Sequence, residues 1–480
     1  MPKPKYFKSP ADFRPRQVHS ASHAEAEGLV GKRAGSKSSP QAELPGNGLQ
    51  STMTDSAVMR RHMLVAICTY GSRGDVEPFV ALGAALTGAG HSVRILAPAP
   101  FENLVQAHGL SFTPLEGDPD QLMLTFADQA RLSWPRMIAR MIQHVLPLAA
   151  TVFRTLERGT RDADLIIHSF LMTDAGHTLA SQRGVPDVSA QLFPVFLPSS
   201  AFPAVGLPDL PLGAVYRRAT HALNASVFRI GGRWLYRKVR ASAPDLPGLA
   251  PWPFGNTKGV TTPVLLAYSP HVLPRPADWP VQAHVTGYWH LNPPRGWVPP
   301  EALLQFMNSG PPPIYFGVGS VRTQRMSGLL QDSVQAILST GQRAVVSLPR
   351  EARGRALESP NLFHAVNVPH EWLFPRMRFI IHHGGAGTTG AAIRAGVPST
   401  AIPFTADQAF WARRIHHLGL GPAAPPAHRL TPRRLVSIIE QALNHPPYHL
   451  RASTLGEQVR LEDGVGAAVR LIHEHVGAAS

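Results

Sequence analysis

Cysteine is nearly absent from this sequence: 480 residues contain one, Cys68. A lone thiol forms neither an intramolecular disulfide nor a thiolate metal cluster, so the chain reads as a protein of a reducing compartment, expected to be cytoplasmic. Lysine is scarce as well. Only seven of the 46 basic residues are Lys, and five of them (Lys3, Lys5, Lys8, Lys32, Lys37) precede position 38. No apolar run reaches the roughly 18 residues that span a bilayer. The opening MPKPKYFKSPADFRPR has no apolar stretch of a secretory signal. Aromatic residues are few, at 8%, and the bases are spread through the chain rather than interleaved with them, so a nucleic-acid platform is not expected. Acids number 31, which leaves a formal charge of +15. That charge suits an anionic lipid surface or a phosphorylated substrate.

Against these absences stand 44% hydrophobic residues, 41 Gly and 47 Pro. The length corresponds to about two or three domains at roughly 150 residues each. Residues 1–58 are rich in Ser, Pro, Gly, Lys and Ala without periodicity, and read as a disordered basic tail. Order begins with the apolar run Met63–Cys68, the pattern of a strand buried on both faces of a parallel sheet. A Gly-rich turn, a helix from about Val76 to Leu86 and a second strand, His91–Ala97, complete a strand-helix-strand unit. The pattern recurs at Asp164–His168 and Pro186–Ala190. It recurs again at Ile314–Ser320, Arg343–Ser347, Phe379–His383 and Ser399–Pro403. The fold class is therefore α/β, with two doubly wound domains at 59–285 and 313–455, a Pro-rich linker at 286–312 and a C-terminal helix at 456–480. Ligands of such folds sit beyond the C-terminal ends of the strands, here in a cleft between the halves.

The segment His382-His-Gly-Gly-Ala-Gly-Thr-Thr389 follows a predicted strand and opens a predicted helix. Its glycines let the backbone approach a ligand, and the helix N-terminus favours an anion such as a diphosphate. Gly385, Gly387 and Gly390, with Asp407 further on, also spell the dinucleotide fingerprint. That reading, an NAD-dependent oxidoreductase, would leave the whole preceding α/β domain without a role.

Four segments, GSRGDVEPFVALGAAL (71–86), YFGVGS (315–320), VPHEWLFPRMRFIIHHGGAGTT (368–389) and PFTADQAFWARRIHHLGLGP (403–422), resemble in order and spacing the nucleotide-sugar glycosyltransferases that include sterol glucosyltransferases and antibiotic glycosyltransferases. The resemblance implies the GT-B fold, two Rossmann-like domains facing across a cleft, the first binding the acceptor and the second the sugar donor. It implies inverting transfer of a hexose, glucose from UDP-glucose, to a hydroxyl of a hydrophobic acceptor such as a sterol, lipid or secondary metabolite. The alternative is a dTDP-linked deoxysugar of rhamnose type. No cofactor and no metal are expected.

Carried over by position, the resemblance makes His383 a contact of the donor diphosphate, with Gly385, Gly387, Thr388 and Thr389 as its cradle. Ser320 falls near the diphosphate, and Ser72 lies on the donor side of the first turn. Asp407 and Gln408 correspond to the pair that binds the sugar hydroxyls. Val368 and Trp372 fall in the stretch that holds the base, although plant relatives place a stacking Trp at the position of Asn367. Asp75 matches the catalytic base, and a helix N-cap is its structural alternative. His168, ending a strand on the cleft edge, is a second candidate to orient or replace that base, against a role in the core. The formal D-x-D at Asp162–Asp164 reads as a turn. Between Asp209 and Asp245 there is no acid, and seven bases interleave with apolar residues. This interval is expected to form an amphipathic helix or helix pair suited either to an anionic membrane surface, with the protein held peripherally on its inner face, or to an acceptor pocket.

Overall fold

The computed structural model describes residues 62–118, 148–254, 262–294, 296–319, 324–348 and 359–479. The tail at 1–58 and Ser320 lie outside them.

Seven parallel strands form the first sheet: β1 (Leu64–Cys68), β2 (Ser92–Pro98), β3 (Ser111–Leu115), β4 (Leu165–His168), β5 (Asp187–Gln191), β6 (Val264–Leu266) and β7 (Ala283–Val285). Their order is β3-β2-β1-β4-β5-β6-β7. The second sheet contains β8 (Ile314–Gly317), β9 (Ala344–Ser347), β10 (Leu362–His364), β11 (Phe379–His382) and β12 (Ser399–Ala401), ordered β10-β9-β8-β11-β12, again all parallel. The continuous apolar runs become the central strands because helices cover both faces: β4 and β11 are buried at every position. The strands β3, β6, β7 and β10 were not read from the sequence; the last three are only three residues long.

In each sheet the strand order reverses at one point, between β1 and β4 and between β8 and β11. These are the places where a doubly wound sheet opens a crevice beyond its strands. Helix α1 (Arg73–Gly88) leaves β1 at the first switch point. Its beginning differs from the sequence expectation. Ser72, not Asp75, is the N-cap, and Asp75 is the third helical residue, reciprocating in a capping box.

The principal hydrophobic core runs through both lobes. It joins Phe79 and Leu82 of α1 to Ile393, Phe410, Trp411, Leu455 and Ile472 of the second half. Tyr268 meets Trp411 edge-on at 5.7 Å, and Phe202 meets Phe410 at 5.8 Å. A fully buried side chain such as Phe79 or Leu82 contributes roughly 1.5–3 kcal/mol. The Pro-rich segment is no free tether, because Tyr288 and Trp289 are buried in this core and a helix, Glu301–Asn308, forms within it.

The helices of the two lobes include α1, α2 (Gly213–Ser226), α3 (Gly232–Ser242), α4 (Ala386–Ala395), α5 (Ala406–His417), α6 (Pro446–Arg460) and α7 (Gly464–Ala479). The chain after Leu455 is not one helix. It breaks at Leu461–Asp463, where a Cβ on Gly464 would come within 2.6 Å of the Gly287 carbonyl carbon, and α7 then packs against α1.

Candidate active site

The first half of the site is the turn after β1. Gly71 takes φ 140°, and a Cβ there would lie 2.5 Å from Asp75 Oδ2, so only glycine lets the carboxylate fold back over the turn. Asp75 Oδ2 accepts from Ser72 N at 2.8 Å and from Ser72 Oγ at 2.9 Å. Thr69 Oγ1 donates to the Asp75 carbonyl at 2.8 Å. One carboxylate oxygen is thus fixed, while no described group bonds Oδ1. Burial lifts the Asp75 carboxyl to about 6; the Ser72 bonds oppose this, and the negative charge of Asp407 adds to it. That last influence comes from the other lobe.

The second half is the turn after β11. The His383 ring sits between two glycines: a Cβ on Gly319 would approach it at 2.8 Å and one on Gly385 at 2.5 Å. Gly319 follows β8, so the second switch point brings these backbones onto one imidazole. His383 Nδ1 is buried without a partner, and burial lowers the ring to about 4, leaving it neutral near pH 7. Gly384, at φ 90°, passes so close to α5 that a Cβ would meet the Gln408 carbonyl at 2.8 Å. Gly385 caps α4, the first bond Thr389 N to Gly385 O is 2.9 Å, and the amides ahead of it have no intrahelical acceptor. Thr388 is half-buried beside them, a Cβ on Gly387 would meet open space, and Thr389 Oγ1 is buried with no partner. Unsatisfied donors around a helix N-terminus form a receptor for an anion.

Asp407 and Gln408 begin α5. Thr405 Oγ1 donates to Asp407 Oδ1 at 2.6 Å, while Gln408 Oε1 accepts from Phe404 N at 2.8 Å and Thr405 N at 3.3 Å. The amide oxygen of Gln408 therefore holds the helix start, and its NH2 is the end left for a ligand. Val368 packs into the core cluster beneath β8–β11. Trp372 is flanked by Arg376, 4.3 Å from the ring centre, and by Trp297 at 5.9 Å. Asn367 is exposed at φ 52°, the one described non-glycine residue in the left-handed region.

One expectation needs correction. His168 does not face the cleft: it is fully buried, its Nε2 meets Asp187 Oδ2 at 3.0 Å, and a Cβ on Gly176 would strike its ring. Asp187 also meets His177 Nδ1 at 2.9 Å and accepts from Thr262 Oγ1 at 3.1 Å. Burial would raise that carboxyl, but the two imidazoles hold it well below its usual range. His168 is thus a partner in a buried polar cluster rather than a base. Ser72, expected among the donor-binding residues, donates its hydroxyl hydrogen to Asp75. The D-x-D acids are structural: Asp162 pairs with Arg94 at 2.6 Å, and Asp164 Oδ2 accepts from Leu64 N at 2.8 Å. Among the described residues no group of three or more His, Cys, Asp or Glu could hold a metal ion. Cys68 is no thiolate nucleophile, since burial pushes it up to about 12 against the pull of Arg183.

Sequence reasoning missed three contributors. Thr69 and Gly319 close the two turns, and Tyr288 packs against Gly390 of α4. Gly319 was visible in YFGVGS. The other two roles depend on contacts that no local pattern records.

The sequence and the fold have known counterparts. Residues 65–184 match the glycosyltransferase family 28 N-terminal domain, and residues 333–463 match the C-terminal domain of the erythromycin biosynthesis protein CIII-like family. Over 430 residues the chain is 34% identical to O-mycaminosyltylonolide 6-deoxyallosyltransferase of Streptomyces fradiae, covering 86% of this chain and 97% of that protein. The chain belongs to this glycosyltransferase family. A sterol 3-beta-glucosyltransferase of Arabidopsis thaliana is 33% identical over 444 residues, 89% of this glycosyltransferase-family chain and 70% of the plant protein. The sterol 3-beta-glucosyltransferase of Neosartorya fischeri is 31% identical over 432 residues, which are 85% of this chain but 29% of the fungal protein. The chain thus spans about a third of the length of its fungal relatives. Among solved structures, the glycotransferase of kitacinnamycin superposes with a TM-score of 0.64 at 18% identity, over 87% of this chain and 100% of that one. The calicheamicin glycosyltransferase CalG4 gives 0.62 at 17%, over 87% and 99%. The fold is GT-B.

Proposed function

We propose that this family member transfers a hexose, with inversion, from a nucleoside diphosphate to a hydroxyl group of a hydrophobic acceptor, with Asp75 as the base. The observation that carries the reading is the position of Asp75: one oxygen pinned by Ser72, the other open, the carboxyl lifted to about 6, and the charge of Asp407 felt across the cleft. A base poised near the working pH is what general-base catalysis asks for. In the proposed step the acceptor hydroxyl gives its proton to Asp75 Oδ1 and its oxygen bonds to the anomeric carbon. The bond from that carbon to the diphosphate oxygen breaks, and the electron pair leaves with the nucleoside diphosphate. The first-turn amides of α4, the Thr388 and Thr389 hydroxyls and neutral His383 stabilise the charge that builds there. Neutral His383 contributes through the single N–H that its tautomer carries. Asp407 and the NH2 of Gln408 orient the sugar hydroxyls, and Val368 and Trp372 border the base. The reaction so described uses no cofactor or metal.

Glucose from UDP-glucose to a sterol or similar lipid is the reading supported by the sterol glucosyltransferase relatives and by the DQAFW segment. A dTDP-deoxysugar is the second reading, favoured by the deoxyallosyltransferase relative, whose length this chain almost fully covers. The test is incubation with each donor and a sterol panel, with mass spectrometry of the product and the anomeric proton coupling read by NMR. A β-linked glucoside from an α-linked donor supports the proposal. Retention of configuration, or transfer unaffected in Asp75→Asn, contradicts the base assignment.

A further inference from the structure

Helices α2 and α3 join through a π-helical turn, Val227–Gly231, into one continuous rod whose exposure is inverted. On a surface helix the apolar stripe faces the protein. Here Val215 is 82% exposed, Leu223 58%, Val227 58%, Ile230 62% and Trp234 41%, with Leu212 at 62% just before the start. The rod is not loose, because its other side is anchored. Thr220 Oγ1 accepts from Ala204 N at 2.9 Å, the His221 ring bonds the Phe202 carbonyl at 3.0 Å, and Tyr236 OH donates to the Pro247 carbonyl at 2.8 Å. Phe228 lies edge-on to Phe196 at 5.3 Å, and Val239 is buried. Residues 212–234 extend over about 33 Å at 1.5 Å per residue.

The charge along the rod has one sign. Arg217 and Arg218 near its start pair with Asp209 and Asp278, while Arg229, Arg233, Arg237, Lys238 and Arg240 are exposed and form no ion pair among the described residues, Arg233 and Arg240 donating to the Ala250 and Leu246 carbonyls; no acid lies between Asp209 and Asp245. Lys238 sits 5.9 Å from the Trp234 ring centre, which puts an aromatic ring and a cation together at the edge of the stripe. No described helix is long and apolar enough to cross a membrane.

We propose that the outer face of the α2–α3 rod docks in the plane of an anionic lipid bilayer, with the apolar stripe entering the headgroup boundary and the flanking bases meeting lipid phosphates. A second copy of the chain is disfavoured because a self-paired rod would set bases against bases. A nucleic acid would satisfy the bases but leave the apolar side chains in water. A bilayer with anionic headgroups covers both. The inference rests on the proposed function only for its purpose, bringing the cleft to a lipid acceptor; the binding itself needs neither donor nor acceptor.

The test is vesicle co-flotation of the full chain, without sugar donor or sterol, using phosphatidylcholine alone and phosphatidylcholine with one third phosphatidylglycerol. Native protein is expected to float with the anionic vesicles and to be released by high salt. The triple variant Val227→Ser, Ile230→Ser, Trp234→Ser should lose at least tenfold in partitioning. Arg229→Gln, Arg237→Gln, Lys238→Gln should lose roughly a hundredfold and most of the salt dependence, at about a factor of five per charge near an anionic surface. All these side chains are exposed, and far-UV circular dichroism with an unchanged melting point establishes that the variants fold. Equal flotation of native and variant proteins would assign any binding to another part of the chain, including the basic tail. That result, or no flotation at all, overturns the proposal without touching the glycosyltransferase reading.

Discussion

Ser72 donates twice to a single oxygen of Asp75, through its amide at 2.8 Å and its hydroxyl at 2.9 Å. The pair is a capping box and also a tuning device, since both bonds favour the ionised carboxylate that burial disfavours. Asp407 acts in the opposite sense. As a base, Asp75 works ionised, so activity falls as pH drops through about 6. Ser72→Ala removes one stabilising bond and should move the acidic limb of the kcat/KM profile to higher pH. Asp407→Asn removes a like charge and should move it to lower pH, along with a rise in donor KM. Limbs that both stay in place would disconnect Asp75 from the profile.

Asp75→Asn keeps an acceptor for the Ser72 amide, so the turn should survive. Turnover should fall by roughly 10²–10⁴-fold, the usual range for removing a general base. Donor affinity measured by calorimetry should change little, because the proposed diphosphate cradle lies on the other lobe.

Tyr288 packs against Gly390 of α4, the helix proposed to receive the donor diphosphate. A Cβ on Gly390 would stand 2.6 Å from its ring, in the interior. Gly390→Ala should destabilise the protein by about 1–3 kcal/mol in urea unfolding, as overpacked cores do. Adding Tyr288→Leu should recover part of that loss. Strict additivity of the two changes would show that the ring and the helix do not meet in solution.

The site also sets a pH dependence of stability. Burial lowers His370 to about 3, with Arg73 and His383 adding to the effect; it lowers His383 and His290 to about 4, and His382 well below its ordinary value. In the unfolded chain these rings take up protons near pH ~6.5, while in the fold they do not. The stability they allow is therefore complete above about 6.5 and is lost as pH falls toward about 4. Asp75 works the other way between its unfolded value of 3.8 and about 6, as do Asp174, Glu371 and Glu462, whose carboxyls burial also raises. The urea midpoint should drop steadily from about pH 7 to about pH 5; a flat or rising midpoint would mean these imidazoles are hydrated.

The central strands and both functional turns were legible because their signals are local. Apolar runs such as Leu64–Cys68 and Phe379–His382 precede glycine turns that hold either a carboxylate or an anion receptor. The helix α1 starts three residues earlier than the sequence suggests, because Gly74 reads as loop and an Asp at the third helical position is a less familiar box partner than Glu. The break at Leu461–Asp463 is set by Gly464 meeting Gly287, a contact between distant parts of the chain that no periodicity records. The same reason hides the role of His168. A histidine at a strand end faces either a cleft or a neighbour, and here Asp187 on the adjacent strand decides it.

The most direct test of Asp75 and His383 as the two halves of a sugar-nucleotide site is ligand-dependent melting of native protein and His383→Ala with UDP, dTDP, UDP-glucose and NAD. A ligand bound only to the folded state adds about 2.7 kcal/mol at a hundredfold excess over its Kd. Native protein should melt higher with UDP-glucose and UDP, or with dTDP if the deoxysugar reading holds, and His383→Ala should lose most of that rise. A rise with NAD alone would contradict the glycosyltransferase mechanism, assigning Gly385, Gly387 and Gly390 to a dinucleotide instead of a sugar nucleotide.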